Sequence, residues 1–163
     1  MSLNDRLQKL LCEEFVWYRI QPYHDAVDAQ HVAAAAHVTG DVLAKTVILR
    51  DGNNGPFTML VLPATCALDL AAVRHSTGRP GLRLAHEREF GPLFPDCATG
   101  AMPPFGALYG MPSMADTCLL DNEQLVFRGG THQTLVRVRC DDWVSVARPV
   151  VGAWCARHAH AAA

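Results

Sequence analysis

Lys45 is the first residue whose chemistry stands apart from its setting. The chain of 163 residues has 14 basic side chains, yet only Lys9 and Lys45 are lysines. Lys45 lies in the run VLAKTVIL, which is apolar apart from Lys45 and the adjacent Thr46. Successive side chains of a strand face opposite ways, so Lys45 projects away from Ala44 and Thr46. An ammonium there is either a solvent-facing charge guarding a sheet edge or a point charge holding an anionic or carbonyl group in a pocket. Lysine and arginine are not interchangeable in that second task, and keeping a lysine in an arginine-biased chain favours it.

His132 comes next. It follows FRGGT, and the bend allowed by Gly129 and Gly130 can aim a side chain into a cleft. His132 therefore reads as a polar contact to a substrate or as a plain turn histidine. Cys97 would need a neighbouring base or a helix N-terminus to act as a nucleophile. His132 is the candidate base, which gives a Cys97/His132 hydrolase as one reading, without support from the spacing. Asp96 is either a general base or a turn residue. The run from Arg74 through Arg79 and Arg83 to Arg88 suits phosphates, although Glu87 and Glu89 dilute it and favour a solvated face.

Residues 96–110, DCATGAMPPFGALYG, combine breakers with an apolar load. Gly100, Pro103, Pro104 and Gly106 punctuate a stretch that also holds Ala101, Met102, Phe105, Leu108 and Tyr109. A solvated turn has no use for those side chains. Proline stiffens such a loop and glycine admits unusual dihedrals and close approach. A rigid, apolar, tightly bent segment suits either a pocket wall or a buried crossover.

The elements that must position these residues follow from periodicity. Ser2 with Asp5 resembles a capping box ahead of an amphipathic helix over 2–14. FVWYRIQ reads as a strand ending at Pro22. The alanine-rich run 25–38 reads as a helix that stops before Gly40. Residues 42–50 and 57–62 flank DGNNG and form the clearest hairpin signal. CALDLAAVRHSTG is a short helix closed by Gly78, GLRLAH a short strand, and EREFGPLF about two helical turns. ADTCLLD, QLVFRGG and HQTLVRVRC read as strands, and DDWVSVAR as a final helix. The expected fold is one α+β domain over 1–163, with a mixed, curled central sheet of about six to seven strands flanked by helices.

Bulk composition narrows the function class. Hydrophobic residues make up 50% and charged residues 18%, which suits one domain with a substantial core. A net charge of −2 gives no general pull on nucleic acid or an anionic membrane, so any nucleic acid must be gripped locally. No run approaches the roughly 18–20 apolar residues of a membrane span. MSLNDRLQKLL lacks the pattern of a signal peptide, so a cytoplasmic protein is expected. The six cysteines contain no CxxC pair, so no metal is expected and reduced, buried thiols are the default. His158 and His160 read as a frayed end.

Taken in order, AKTVIL, FTMLVLP, LFPDCATGAMPPFGALYG and FRGGTHQTLVRV, followed by a late Asp-Trp-Val stretch, resemble the YbaK/prolyl-tRNA synthetase-associated editing-domain family. The resemblance spans roughly residues 20–150, and the length leaves no room for synthetase modules. It is thus to the free-standing editors, which need no cofactor. It implies trans-acting hydrolysis of mischarged aminoacyl-tRNA. The lysine matching Lys45 contacts the aminoacylated terminal adenosine. The GxxxP loop matching Gly100, Ala101, Met102, Pro103 and Pro104 shapes the aminoacyl pocket and offers backbone amides. The histidine matching His132 lines the same site. Phe105 and Gly106 complete the expected substrate loop, and Thr46 matches the common Lys-Thr variant. Relatives specific for alanyl-tRNA(Pro) tend to carry asparagine at that place, a departure that argues against alanyl specificity. The implied partners are the tRNA acceptor end and, as a delivery partner, an aminoacyl-tRNA synthetase. A non-catalytic binding module on the same fold is the rival from another class.

Overall fold

The computed structural model describes residues 3–22 and 40–156. Helix α1 (Asp5–Glu13) turns Leu7 and Leu11 into the core. Its cap is Asn4 rather than Ser2, with the Asn4 side chain accepting the Leu7 N–H at 3.1 Å. Asn4 Nδ2 also donates to the Asp96 carbonyl at 3.1 Å. One residue thus satisfies an orphan helix amide and ties the helix to a distant loop. The alanine-rich helix expected over 25–38 lies outside the described residues, as do His158 and His160.

Strand β1 (Tyr18–Pro22) precedes the hairpin of β2 (Ala44–Asp51) and β3 (Phe57–Pro63), which pair antiparallel with Arg50 opposite Phe57. The turn uses Gly52 at φ 59, where other residues are strained. A short β4 (Ala67–Leu68) leads into helix α2 (Leu70–Thr77), capped by Asp69 and closed by Gly78. Next come β5 (Leu82–Leu84) and α3 (Glu87–Phe90), which runs on into a 3-10 turn (Gly91–Leu93). A second 3-10 turn (Gly106–Tyr109) leads to β6 (Ser113–Asp116).

The strand expected over ADTCLLD stops early. Asp116 accepts the Cys118 N–H at 2.9 Å and starts a single-turn helix, α4 (Thr117–Leu120). A side chain that caps a turn competes with continued pairing, and here it wins. Strands β7 (Gln124–Arg128) and β8 (Thr134–Arg139), helix α5 (Cys140–Ala147), β9 (Val150–Gly152) and β10 (Cys155–Ala156) complete the described chain.

The five-stranded sheet has the order β5-β2-β3-β6-β9, antiparallel as far as β3 and parallel from there to β9. The order β1-β8-β7 forms a three-stranded antiparallel sheet, and a parallel bridge from Leu43 to Val126 joins the two. The α+β class with a mixed sheet is therefore as expected, and the described strands divide between these two sheets, linked at this bridge, and a small antiparallel pair of β4 with β10. The main core lies between them. Ile48, Met59 and Val61 meet Phe127, Val136 and Val138, with Leu7, Leu11 and Trp143 filling the sides. A second core on the other face of the larger sheet gathers Leu49, Leu60, Leu62, Val73 and Trp154.

The cysteine expectation needs correction. Cys66 and Cys155 form a disulfide across 89 residues, while Cys12, Cys97, Cys118 and Cys140 are free. Antiparallel pairing of β4 with β10 brings the two Cα atoms to 5.3 Å, a span a disulfide bridges. Three arginines of the run 74–88 have structural partners. Arg79 pairs with Asp51, Arg83 and Arg50 share Glu89, and Arg74 donates to the Leu82 carbonyl. These guanidiniums hold β2, β5 and α3 together.

Candidate active site

Three segments distant in sequence meet at the start of β2. Leu43, Ala44, Lys45 and Thr46 line one side of a small cavity, and Gly100, Met102 and Arg128 line the rest. Its volume is about 30 Å³, above the roughly 10–15 Å³ that a cavity needs to hold a water. The Leu43–Val126 bridge sets this meeting, because it lays the Arg128 end of β7 beside the lysine. Backbone bonds then stitch the loop to the β7–β8 turn: Ala98 N–H donates to Gly130 O at 2.8 Å, and Gly130 N–H to Ala101 O at 3.0 Å.

Lys45 is half-buried, and its ammonium donates to the Cys66 carbonyl. Burial pulls its pKa below the usual lysine value. An ammonium has three N–H donors, so this bond leaves others for a ligand.

Gly100 sits at φ 80, a conformation that glycine adopts without strain. A Cβ built there would lie 3.6 Å from His132 Cε1. His132 Nε2 pairs with the Thr99 carbonyl at 2.7 Å, and Arg128 Nη1 donates to the Gly100 carbonyl at 3.2 Å. His132 and Arg128 thus brace the loop on either side of its glycine.

The loop's N–H groups can be accounted for one by one. Ala101 donates to Ala98 O, Phe105 to Pro103 O, and Gly106 to Ser113 Oγ. Pro103 and Pro104 carry no N–H. Among the described residues, no acceptor meets the N–H of Gly100 or Met102. The amides expected across residues 100–106 therefore narrow to two, both on cavity-lining residues.

The other loop residues are buried and do not line the cavity. Phe105 packs edge-on against Phe127, with ring centroids 5.6 Å apart. The Pro104 carbonyl accepts the Trp143 Nε1–H at 2.9 Å. Gly106 is packed so closely that a Cβ would come within 2.5 Å of the Met111 carbonyl. Ala101 and Pro103 are likewise buried. These five, expected as substrate contacts, are buried behind Gly100 and Met102, which line the cavity.

Cys97 is placed for packing. Its Sγ lies 3.1 Å from the Tyr109 hydroxyl, and its thiol pKa is pushed up to about 11, chiefly by burial. His132 is engaged with Thr99 instead. A buried thiol held protonated, with His132 engaged elsewhere, is a poor nucleophile.

Arg128 is the site residue that the sequence reading passed over. Part of the signal was available. In QLVFRGG, alternation sets Arg128 on the face opposite Leu125 and Phe127, a polar side chain at the end of an apolar run; the pairing that lays it beside Lys45 is a long-range contact.

The α+β fold of this chain has solved counterparts. One, provisionally described as a trans-editing enzyme for prolyl-tRNA synthetase, is 23% identical, with a TM-score of 0.80 over 95% of this chain and 99% of that one. Another, described only as a hypothetical protein, is 20% identical, with a TM-score of 0.82 over 93% of this chain and 100% of that one. A signal-transduction assignment accompanies a Marinobacter aquaeolei VT8 protein that is 17% identical at a TM-score of 0.70, with 94% of this chain covering 31% of that one. At these identities the likeness shows the fold. No curated protein sequence matches the chain. The aminoacyl-tRNA editing domain family matches residues 24–146, and the chain belongs to that family.

Proposed function

We propose that the chain hydrolyses the ester of mischarged aminoacyl-tRNA, acting in trans in the cytoplasm. The observation that carries this reading is the pairing of two cations, Lys45 and Arg128, with two uncommitted amides, Gly100 and Met102, around one water-sized cavity.

An aminoacyl ester is an activated substrate, so positioning and charge stabilisation supply most of what hydrolysis needs. The terminal adenosine lies across the cavity mouth with its phosphate toward Lys45. The amides of Gly100 and Met102 receive the oxyanion that forms when water attacks the ester carbonyl. A ribose hydroxyl of the substrate orients that water. The ester C–O bond then breaks, leaving free amino acid and a tRNA with its terminal hydroxyl restored. Met102 sizes the amino-acid side chain. Apolar walls separate a single methylene by only about 1–3 kcal/mol, so rigidity of the backing matters as much as chemistry.

The test is a deacylation panel over many mischarged aminoacyl-tRNAs. One or more should be hydrolysed, and Lys45→Ala should lose most of that rate while keeping the circular dichroism of the wild type. A wild-type rate in that variant would remove Lys45 from the site. No hydrolysis across the panel, with retained binding of a free amino acid or nucleotide, would favour a non-catalytic binding module.

A further inference from the structure

We propose that Cys118, Cys155 and Cys66 form a thiol–disulfide exchange site, open to small and protein thiols, that governs how firmly Lys45 is held. The three cysteines border a cavity of about 340 Å³ on the side of the five-stranded sheet away from the main core. Cys118 is exposed and free. Its Sγ, the Cys155 Sγ and a carboxylate oxygen of Asp116 all lie within 4.8 Å of one another. A third sulfur beside a disulfide is the arrangement that exchange needs.

The closeness of Cys118 Sγ to Cys155 Sγ, together with the burial of the two disulfide residues, sets the direction of attack. Cys66 is 8% exposed, whereas Cys155 is only half-buried. A sulfur entering from the cavity or from Cys118 therefore meets Cys155, and Cys66 leaves. The Cys118 thiol gives its proton to solvent and its thiolate attacks Cys155 Sγ. A Cys118–Cys155 bond forms, the Cys66–Cys155 bond breaks, and the Cys66 thiolate takes up a proton. No electrons are gained or lost overall. With an external dithiol as reductant, both sulfurs become thiols and the reductant becomes a disulfide.

The same cluster is a poor cation site, because Asp116 is committed. Its Oδ1 accepts the Cys118 N–H, and its Oδ2 accepts the N–H groups of Trp154 and Cys155 at 2.6 and 2.9 Å. A hydrogen bond to Asp116, followed by burial and the charges of Asp116, Asp121 and Asp41, raises the Cys118 pKa. The resting chain thus keeps Cys118 as a thiol and the disulfide on Cys66 and Cys155.

The link to Lys45 is direct. The carbonyl that accepts its ammonium belongs to Cys66, the residue whose sulfur leaves. Once the bond breaks, the turn carrying that carbonyl keeps its local bonds, Ala64 N–H to Leu43 O and Cys66 N–H to Pro63 O, but loses its covalent tie to β10. The segment around Trp154 stays docked through Asp116 and Asp69. Exchange therefore loosens the lysine clamp without undoing the fold. Control of Lys45 rests on the deacylase reading, whereas the exchange chemistry does not.

The experiment uses the full chain. Free thiols are blocked and peptides are mapped without reduction, which should return Cys66–Cys155 with Cys118 blocked. In Cys66→Ser, oxidation by glutathione disulfide should join Cys118 to Cys155. If both sulfurs instead remain alkylatable, the exchange site is wrong. Dithiol reduction of the unmutated chain should lower deacylation severalfold and speed hydrogen exchange of residues 64–68. Cys118→Ser should keep the oxidised rate. Equal rates and equal exchange in the two redox states would overturn the coupling. Exchange mapped as expected, in a chain that deacylates nothing, would sink the deacylase reading and leave the thiol site standing.

Discussion

Lys45 does two things at once: it is anchored to a carbonyl and it flanks a cavity. Burial lowers its pKa, so its positive charge is lost at a pH below the usual lysine range. If that charge holds the substrate phosphate, enzymatic deacylation above the uncatalysed background falls as pH rises through the depressed value. Lys45→Arg keeps its charge at high pH. That variant should be slower near neutrality because the fork geometry differs, and its alkaline fall should disappear. A pH profile of kcat/KM reads both effects, and an unchanged alkaline limb would assign the limb to another group. Cys97 gives the opposite expectation. Its thiol is protonated and packed with Tyr109, so Cys97→Ala should retain the deacylation rate and lose roughly 1 kcal/mol of stability in a denaturant melt. A dead Cys97→Ala enzyme with an intact fold would restore the cysteine mechanism.

The loop from Gly100 to Tyr109 is the element on which the site depends, and its two halves differ. Gly100→Ala places a non-glycine residue at positive φ at a cost of roughly 1–2 kcal/mol. A drop in melting temperature of about 2–4 °C per kcal/mol is expected for a chain of this size, together with lost activity. The new methyl itself has room, 3.6 Å from His132. Trp143→Phe keeps an aromatic ring but removes the donor to Pro104 O and some buried volume, leaving a buried carbonyl unpaired at a cost of roughly 1–3 kcal/mol beside that of the void. If the backing sets specificity, this variant should blur discrimination between amino acids in the deacylation panel more than it slows the preferred one. Selectivity unchanged alongside reduced stability would confine Trp143 to the core.

The hairpin at this scale was legible because DGNNG allows little but a turn between two β-rich runs. The loop was legible as special because breakers and apolar residues rarely mix. Which loop residues line the cavity was hidden. Burial of Phe105 against Phe127 and the tie from Trp143 to Pro104 are contacts between distant segments, and no local pattern encodes them. The same limit explains Asn4, whose second partner lies 92 residues away, and the Cys66–Cys155 pairing. Asp116 could be read as a cap only once the strand before it had been found to end there.

At the scale of the whole molecule, a bridge joins the two larger sheets, and Asp116 straps the Trp154–Cys155 segment to the end of β6. Burial alone would raise its pKa. Hydrogen bonds from the amides of Cys118, Trp154 and Cys155 outweigh that and hold it below the ordinary aspartate range. A depressed folded pKa contributes stability that is present above the unfolded value and lost as pH falls through the folded one. Acidification below the usual aspartate range should therefore release the strap around Trp154, seen as a change in tryptophan fluorescence. Asp116→Asn should be less stable at neutral pH and show a flatter acid dependence. An unchanged acid profile would place the acid-sensitive group elsewhere. The net charge of −2 sets a further expectation. A small footprint at the acceptor end gives weak tRNA binding with a shallow dependence on salt.

The parallel pairing of β6 with β9 carries a consequence for synthesis. β6 spans Ser113–Asp116 and its outer neighbour is Val150–Gly152, while β4 waits for Cys155–Ala156. On the ribosome, the hairpin of β2 and β3 can close early. The edge of β6, the slot filled by Trp154 and the partner of Cys66 all stay open until the last described residues leave the exit tunnel. During that interval the nascent chain exposes a bare strand edge beside an unpaired thiol. Chaperone contact and wrong disulfides would concentrate there, and shortening the chain before Val150 would make that transient state permanent.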